Sequence, residues 1–175
     1  LEGCTFQGNS AVEDGGGLYT AEDLTLVDST FVGNSAEYGG GAYLTRADLD
    51  VEGGRFTGNA ASARGGGIYV FEGESRIDGT EFRENTAATE GGAIVFRDYE
   101  LPPDEVTVSG AGFYDNEAGS GGAVSDYRVD SQYADCVFQG NTADEGGAIA
   151  SGLGRVRLED TMFLENEAEE RGGAI

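Results

Sequence analysis

The sequence predicts an all-β fold: a right-handed, single-stranded parallel β-helix of about seven coils, each about 25 residues long with three short strands. Three observations predict it. The phrase F-x-x-N occurs seven times, starting at Phe6, Phe31, Phe56, Phe82, Phe113, Phe138 and Phe163, at spacings of 25, 25, 26, 31, 25 and 25. Each phrase is followed by Gly-Gly and a small residue, then usually an aliphatic (Leu18, Ile68, Ile94, Val124, Ile149 and Ile175, with Ala42 the small exception). A third pattern sits five and seven positions before each following Phe.

The first strand holds the Phe. Two positions earlier stand Cys4, Ser29, Gly54, Thr80, Ala111, Cys136 and Thr161. All are small, as the inward neighbour of a large inward ring must be in a close-packed interior. Alternation of this kind has the two-residue period of a strand. Stacked coils then lie about 4.8 Å apart and superimpose each Phe on the next. The strand closes at Asn9, Asn34, Asn59, Asn85, Asn116, Asn141 and Asn166. Asn side chains can hydrogen-bond from coil to coil, and Asn tolerates left-handed turn geometry.

Five residues after every Phe comes Ala, which predicts a tight inward corner, and a variable tip follows. Gly-Gly supplies torsions that other residues resist and lets coils approach closely. The second strand carries the aliphatic, with Tyr19, Tyr43 and Tyr69 directly after it and expected to point outward. The third strand carries Leu26, Val51, Ile77, Val108, Tyr133 and Leu158, preceded two positions earlier by Leu24, Leu49, Ser75, Val106, Ser131 and Val156.

Other solenoids fit less well. A leucine-rich repeat needs Leu-x-x-Leu-x-Leu and a helical side, and a propeller blade needs about 40 residues. The 31 glycines argue against helical repeats. The long interval from Phe82 to Phe113 predicts a protruding loop over 95–107, containing Pro102 and Pro103. Residues 1–175 read as one β-helix segment, a window of a longer repeat protein.

The net charge is −23, with neither Lys nor His and ten Arg. Such a surface disfavours nucleic acid and anionic membranes as partners. It suits a cation-rich or saline medium. Without His or Lys, Ser–His–Asp and Ser–Lys nucleophile systems and a Walker phosphate loop are excluded within this chain.

F-x-x-N followed by Gly-Gly-Ala and an aliphatic, repeated, resembles the passenger repeats of chlamydial polymorphic outer-membrane proteins. The second half stands as GGAI at Gly91–Ile94, Gly146–Ile149 and Gly172–Ile175, and as GGAV at Gly121–Val124. The first three coils depart, with Gly17, Gly41 and Gly67 in place of Ala. The resemblance implies a secreted, autotransporter-like β-helix at the bacterial cell surface or outside the cell, acting as an adhesin or stalk.

Candidate sites are few. Cys4 and Cys136 occupy the same slot five coils apart, about 24 Å by stacking distance, too far for a disulfide. Tyr19, Tyr43 and Tyr69 form a stripe that could receive a sugar ring or a partner's edge, or simply pack across coils. Asp14, Glu37, Glu90, Asp144 and Glu145 crowd the tips, where a weakly bound calcium ion would relieve repulsion; the plainer reading is a solvated acidic ridge. No other cofactor is expected. Arg97, Asp98, Asp104 and Glu105 in the long loop are the nearest approach to a catalytic cluster. The expected role is a structural or adhesive segment: a rigid stalk, an adhesin or an end-stacked filament subunit, partnered by flanking coils or copies of itself and by cell-surface glycans or proteins. The alternative is a polysaccharide-binding or polysaccharide-degrading β-helix.

Overall fold

The computed structural model describes all 175 residues and contains strands and turns but no helix. Its strands form a β-solenoid of about seven turns in which every pairing is parallel. The first sheet has seven strands, from Thr5–Gln7 to Met162–Leu164. The second has six, from Leu18–Thr20 to Ile149–Gly152, and the third six, from Leu24–Val27 to Arg155–Glu159. Pairing partners lie one coil apart, as the period predicts: Phe31 is in register with Phe6 and Phe56, and Tyr43 with Tyr19 and Tyr69.

The tip adds something the period did not predict. The residues after Asn form a fourth, interrupted ladder: Ser35–Tyr38, Ala60–Arg64 and Thr86–Ala87 in one part, Thr142–Glu145 and Glu167–Arg171 in another. The repeated Ala lies on this ladder. Ala61, Ala87 and Ala118 make a small apolar cluster separate from the main core. They line the inner side of the tip, where any larger side chain would push the corner outward.

The main core is a column of phenylalanines. Successive rings from Phe6 to Phe163 lie 4.5–5.1 Å apart and within 12° of parallel. Around them pack the second- and third-sheet aliphatics, among them Ile68, Ile94, Val51 and Val108. Burying each ring contributes roughly 1.5–3 kcal/mol.

The Asn column runs beside the rings. Asn34 donates from its backbone N–H and from Nδ2 to Oδ1 of Asn59, at 3.0 and 2.9 Å, and again from Nδ2 to the Phe6 carbonyl oxygen at 2.9 Å. The pattern repeats along the stack. Left-handed torsion, however, falls on the residue before each Asn, as at Gly33 and Gly58, and at Glu84, Asp115 and Glu165 where no Gly is available. The Asn itself is reserved for hydrogen bonding.

The two glycines of the Gly-Gly corner do different work. Gly65 takes a φ of 67°. At Gly66 a Cβ would collide with the carbonyl oxygens of Gly92 and Thr86 in the next coil. The first Gly is needed for its torsion and the second for close approach.

The long interval divides unequally. Ile94 and Val106 stand twelve positions apart, whereas Ala42 and Leu49 stand seven apart. Five extra residues therefore enter here, and one enters the tip between Asn85 and Gly91. Strands cover Ile94–Arg97 and Glu105–Ser109, so the excursion is confined to 98–104, narrower than the sequence-based span 95–107. Asp98 anchors it: its carboxylate accepts from the backbone N–H groups of Glu100 and Asp104, at 2.7 and 3.1 Å.

Candidate functional site: the outer face of the second sheet

The second sheet turns alternate residues outward. One outward column runs Tyr19, Tyr43, Tyr69, Val95, Ser125, Ala150. The next runs Thr45, Phe71, Arg97, Tyr127, Gly152. The three tyrosines do meet, with ring centroids 5.7 Å apart from Tyr19 to Tyr43 and 5.1 Å from Tyr43 to Tyr69.

Their exposure is graded rather than uniform. Tyr19 is 54% exposed and Tyr43 half-buried, while Tyr69 is only 5% exposed. This corrects the expectation of three outward-facing rings open to solvent. Tyr69 points outward but is covered by neighbours: Tyr38 from the tip at 5.8 Å and Phe71 from the adjacent column at 6.4 Å. Burial accordingly pushes the Tyr69 phenol up to about 12. Tyr43 and Tyr69 also stack on each other within 29°, so each covers one face of the other.

Beyond Tyr69 the aromatic contacts continue through Phe71 to Tyr99 of the loop and on to Tyr127, each step 5.9 Å. Arg97 lies over Tyr127, 5.0 Å from its centroid, with Nη1 donating to the Tyr99 hydroxyl at 3.2 Å and Nη2 paired with Glu90. Arg64 lies over Tyr38 at 5.9 Å and reaches the same Glu90 at 3.4 Å. Next to this cluster the outward residues shrink to Ser125 and Ala150, leaving a shallow groove of about 210 Å³ walled by Glu90, Ser120 and Glu145 on one side and Arg97 and Tyr127 on the other.

The tip acids do not form the continuous carboxylate stack that their spacing suggests. In register the column reads Asp14, Tyr38, Arg64, Glu90, Ser120, Glu145, Arg171. Glu90 and Glu145 are each paired with arginine, the latter with Arg171 at 3.3 Å. Asp144 is exposed. Asp14 differs: partial burial, with Glu13 and Glu37 close by, raises its carboxyl above the usual range. No group of three or more His, Cys, Asp or Glu side chains is arranged to hold a metal ion.

The loop candidates are spent on structure. Asp98 is buried and tied to backbone N–H groups, and Asp104 accepts from the Gly73 N–H at 2.7 Å. Arg97 belongs to the tyrosine cluster. Glu105 starts a third-sheet strand and lines a separate polar groove with Asp50 and Arg76. Cys4 and Cys136 are both free thiols, Cys136 fully buried.

Sequence reasoning missed one site inside the core. Asp126 takes the inward slot filled by Leu44, Val70 and Phe96 in earlier coils. It is 2% exposed. The Tyr133 hydroxyl donates to both its oxygens, at 3.0 and 2.9 Å, and the Ser131 hydroxyl donates to Oδ2 at 2.7 Å. The signal was available as a charged residue interrupting an apolar column two positions after Val124. Burial outweighs these hydrogen bonds and lifts the Asp126 carboxyl to about 6. The folded state therefore holds this proton more tightly than the unfolded chain, so stability rises as pH falls through 6 and the gain is complete near the unfolded value, about 4. Between pH 7.5 and 4.5 the wild type should gain about 2 kcal/mol relative to Asp126→Asn, read from paired urea titrations. Parallel pH profiles of the two proteins would contradict this account.

The sequence model of the Chlamydia polymorphic membrane protein repeat matches residues 3–21, 79–97 and 135–152. In these three stretches the chain is similar to the chlamydial polymorphic membrane protein repeat. Each match begins shortly before an F-x-x-N phrase and ends in or just beyond the second-sheet strand of the same coil. The other four phrases put their Phe and Asn in the same two ladders, so the repeat geometry extends through all seven turns. No curated protein and no solved structure matches the chain. The repeats and the solenoid fit a passenger segment of a surface protein, and the family points to an outer-membrane or surface location.

Proposed function

We propose that this segment acts as a rigid, adhesive stalk of a bacterial surface protein, holding a binding face away from the cell. The observation that carries this reading is the unbroken pair of Phe and Asn ladders. Each coil is locked to its neighbours by stacked rings and four hydrogen bonds at each buried Asn side chain, which suits a load-bearing spacer. Flanking coils or end-to-end copies would supply the neighbours of the terminal turns. A non-enzymatic role is supported by the engagement of Asp98 and Asp104 as acceptors for the backbone.

The test is adhesion by the isolated, folded segment. Beads coated with it should attach to epithelial monolayers several-fold more than beads coated with an unrelated acidic protein. Attachment equal to that control, with the β-sheet circular dichroism intact, rules the adhesive role out.

A further inference from the structure

We propose that the open end of the tyrosine face, around Tyr19 and Tyr43, docks an arginine-bearing basic polypeptide segment; this rests on the adhesive reading above. Six of the eight tyrosines lie on this face or on the tip and loop beside it, with the other two, Tyr114 and Tyr133, on the first sheet and in the core. A linked set of partly exposed aromatic rings is a larger feature than scattered surface residues, and Tyr and Arg dominate the energetics of protein interfaces.

The partner's chemistry follows from a pattern the chain completes twice beside this face, and once more at Tyr114 on the first sheet, and leaves open at the exposed end. At Tyr127 an arginine, Arg97, lies over the ring and pairs with Glu90. At Tyr38 a second arginine, Arg64, does the same with the same Glu90. Around Tyr19 and Tyr43 the aromatic and acidic parts recur without the cation. Glu13, Asp14 and Glu37 gather at this corner and none of them forms an ion pair. Tyr19 is 54% exposed, so its ring is reachable. An incoming guanidinium would lie against the rings and pair with the carboxylates, as Arg97 and Arg64 do internally. The net charge of −23 draws a basic segment in but does not choose the face; the tyrosines do.

The test uses the folded chain at physiological salt and a fluorescent peptide of nine arginines. Tyr19→Leu with Tyr43→Leu keeps strand bulk and net charge but removes both rings, and should weaken binding about 5- to 10-fold. Tyr19→Phe with Tyr43→Phe keeps the rings and should stay within about 2-fold. Tyr114→Leu, on the first sheet, should match wild type because Arg83 already covers that ring, 4.6 Å from its centroid. Equal affinity for all four proteins would show adsorption by bulk charge alone and overturn the proposal, as would an equal loss in the Tyr114 variant. Binding of uncharged cellohexaose that the Leu pair abolishes, with the peptide silent, would make the occupant a glycan and overturn it too. Because no cells are involved, loss of bead adhesion leaves these outcomes unaffected.

Discussion

Asn85→Ala should destabilise the protein by about 2–6 kcal/mol, at about one to three kcal/mol for each of two buried N–H groups left without a partner. Asn85 is fully buried. Its Oδ1 accepts from the backbone N–H and Nδ2 of Asn59, both at 3.0 Å, and its Nδ2 donates to the Phe56 carbonyl at 2.9 Å and to Asn116 Oδ1 at 3.1 Å. Alanine orphans the two Asn59 donors together and takes the side-chain donor from the Phe56 carbonyl, which keeps its ladder bond. The coils cannot close over the gap, because flanking backbone bonds such as Gly58 N–H to the Arg83 carbonyl, at 2.9 Å, hold their spacing. Urea unfolding gives the total, and native-state hydrogen exchange should place the loss in the coils of Phe56 and Phe82. A cost below about 1 kcal/mol would mean that water replaces the amide, and the ladder would then be ornament rather than support.

Phe82→Ala should cost about 3–5 kcal/mol. The ring is fully buried and lies between Phe56, at 5.1 Å and 12°, and Phe113, at 5.0 Å and 6°. In many cores neighbours relax into such a cavity. Here the two flanking rings are fixed by their own strands, paired to Glu81–Arg83 in strict register, so the upper part of that range is expected. Phe82→Leu, which refills much of the volume, should recover roughly half the loss in the same chemical denaturation experiment. If both variants cost the same, stacking geometry rather than filled volume governs the column.

The ladders were legible because a period repeated seven times places the same side chain in the same slot. The strands carrying Phe31, Ile68 and Val51 fall where the spacing puts them. What the period could not supply came from residues that break it or reach between columns. Tyr69 is buried by Tyr38 and Phe71, one from a tip of variable length and the other from a neighbouring column. The pairing of Glu90 with both Arg64 and Arg97 likewise joins two different columns. Left-handed torsion at Glu84 and Glu165 was hidden because nothing in those side chains asks for it; the ladder imposes it, at a cost a glycine would avoid. Asp126 was visible as an anomaly, but its partners, Ser131 and Tyr133, lie across the core on another sheet.

The Asn column also has a sense of travel. Each Oδ1 receives two N–H groups from the turn before it, one of them a backbone amide, which fixes which end of the side chain is oxygen. The amide groups consequently share one orientation from Asn34 to Asn141, a single file of aligned dipoles whose polarisations add instead of cancelling. The solenoid is thus an electrically vectorial object along its long direction, quite apart from the sign of its surface charge.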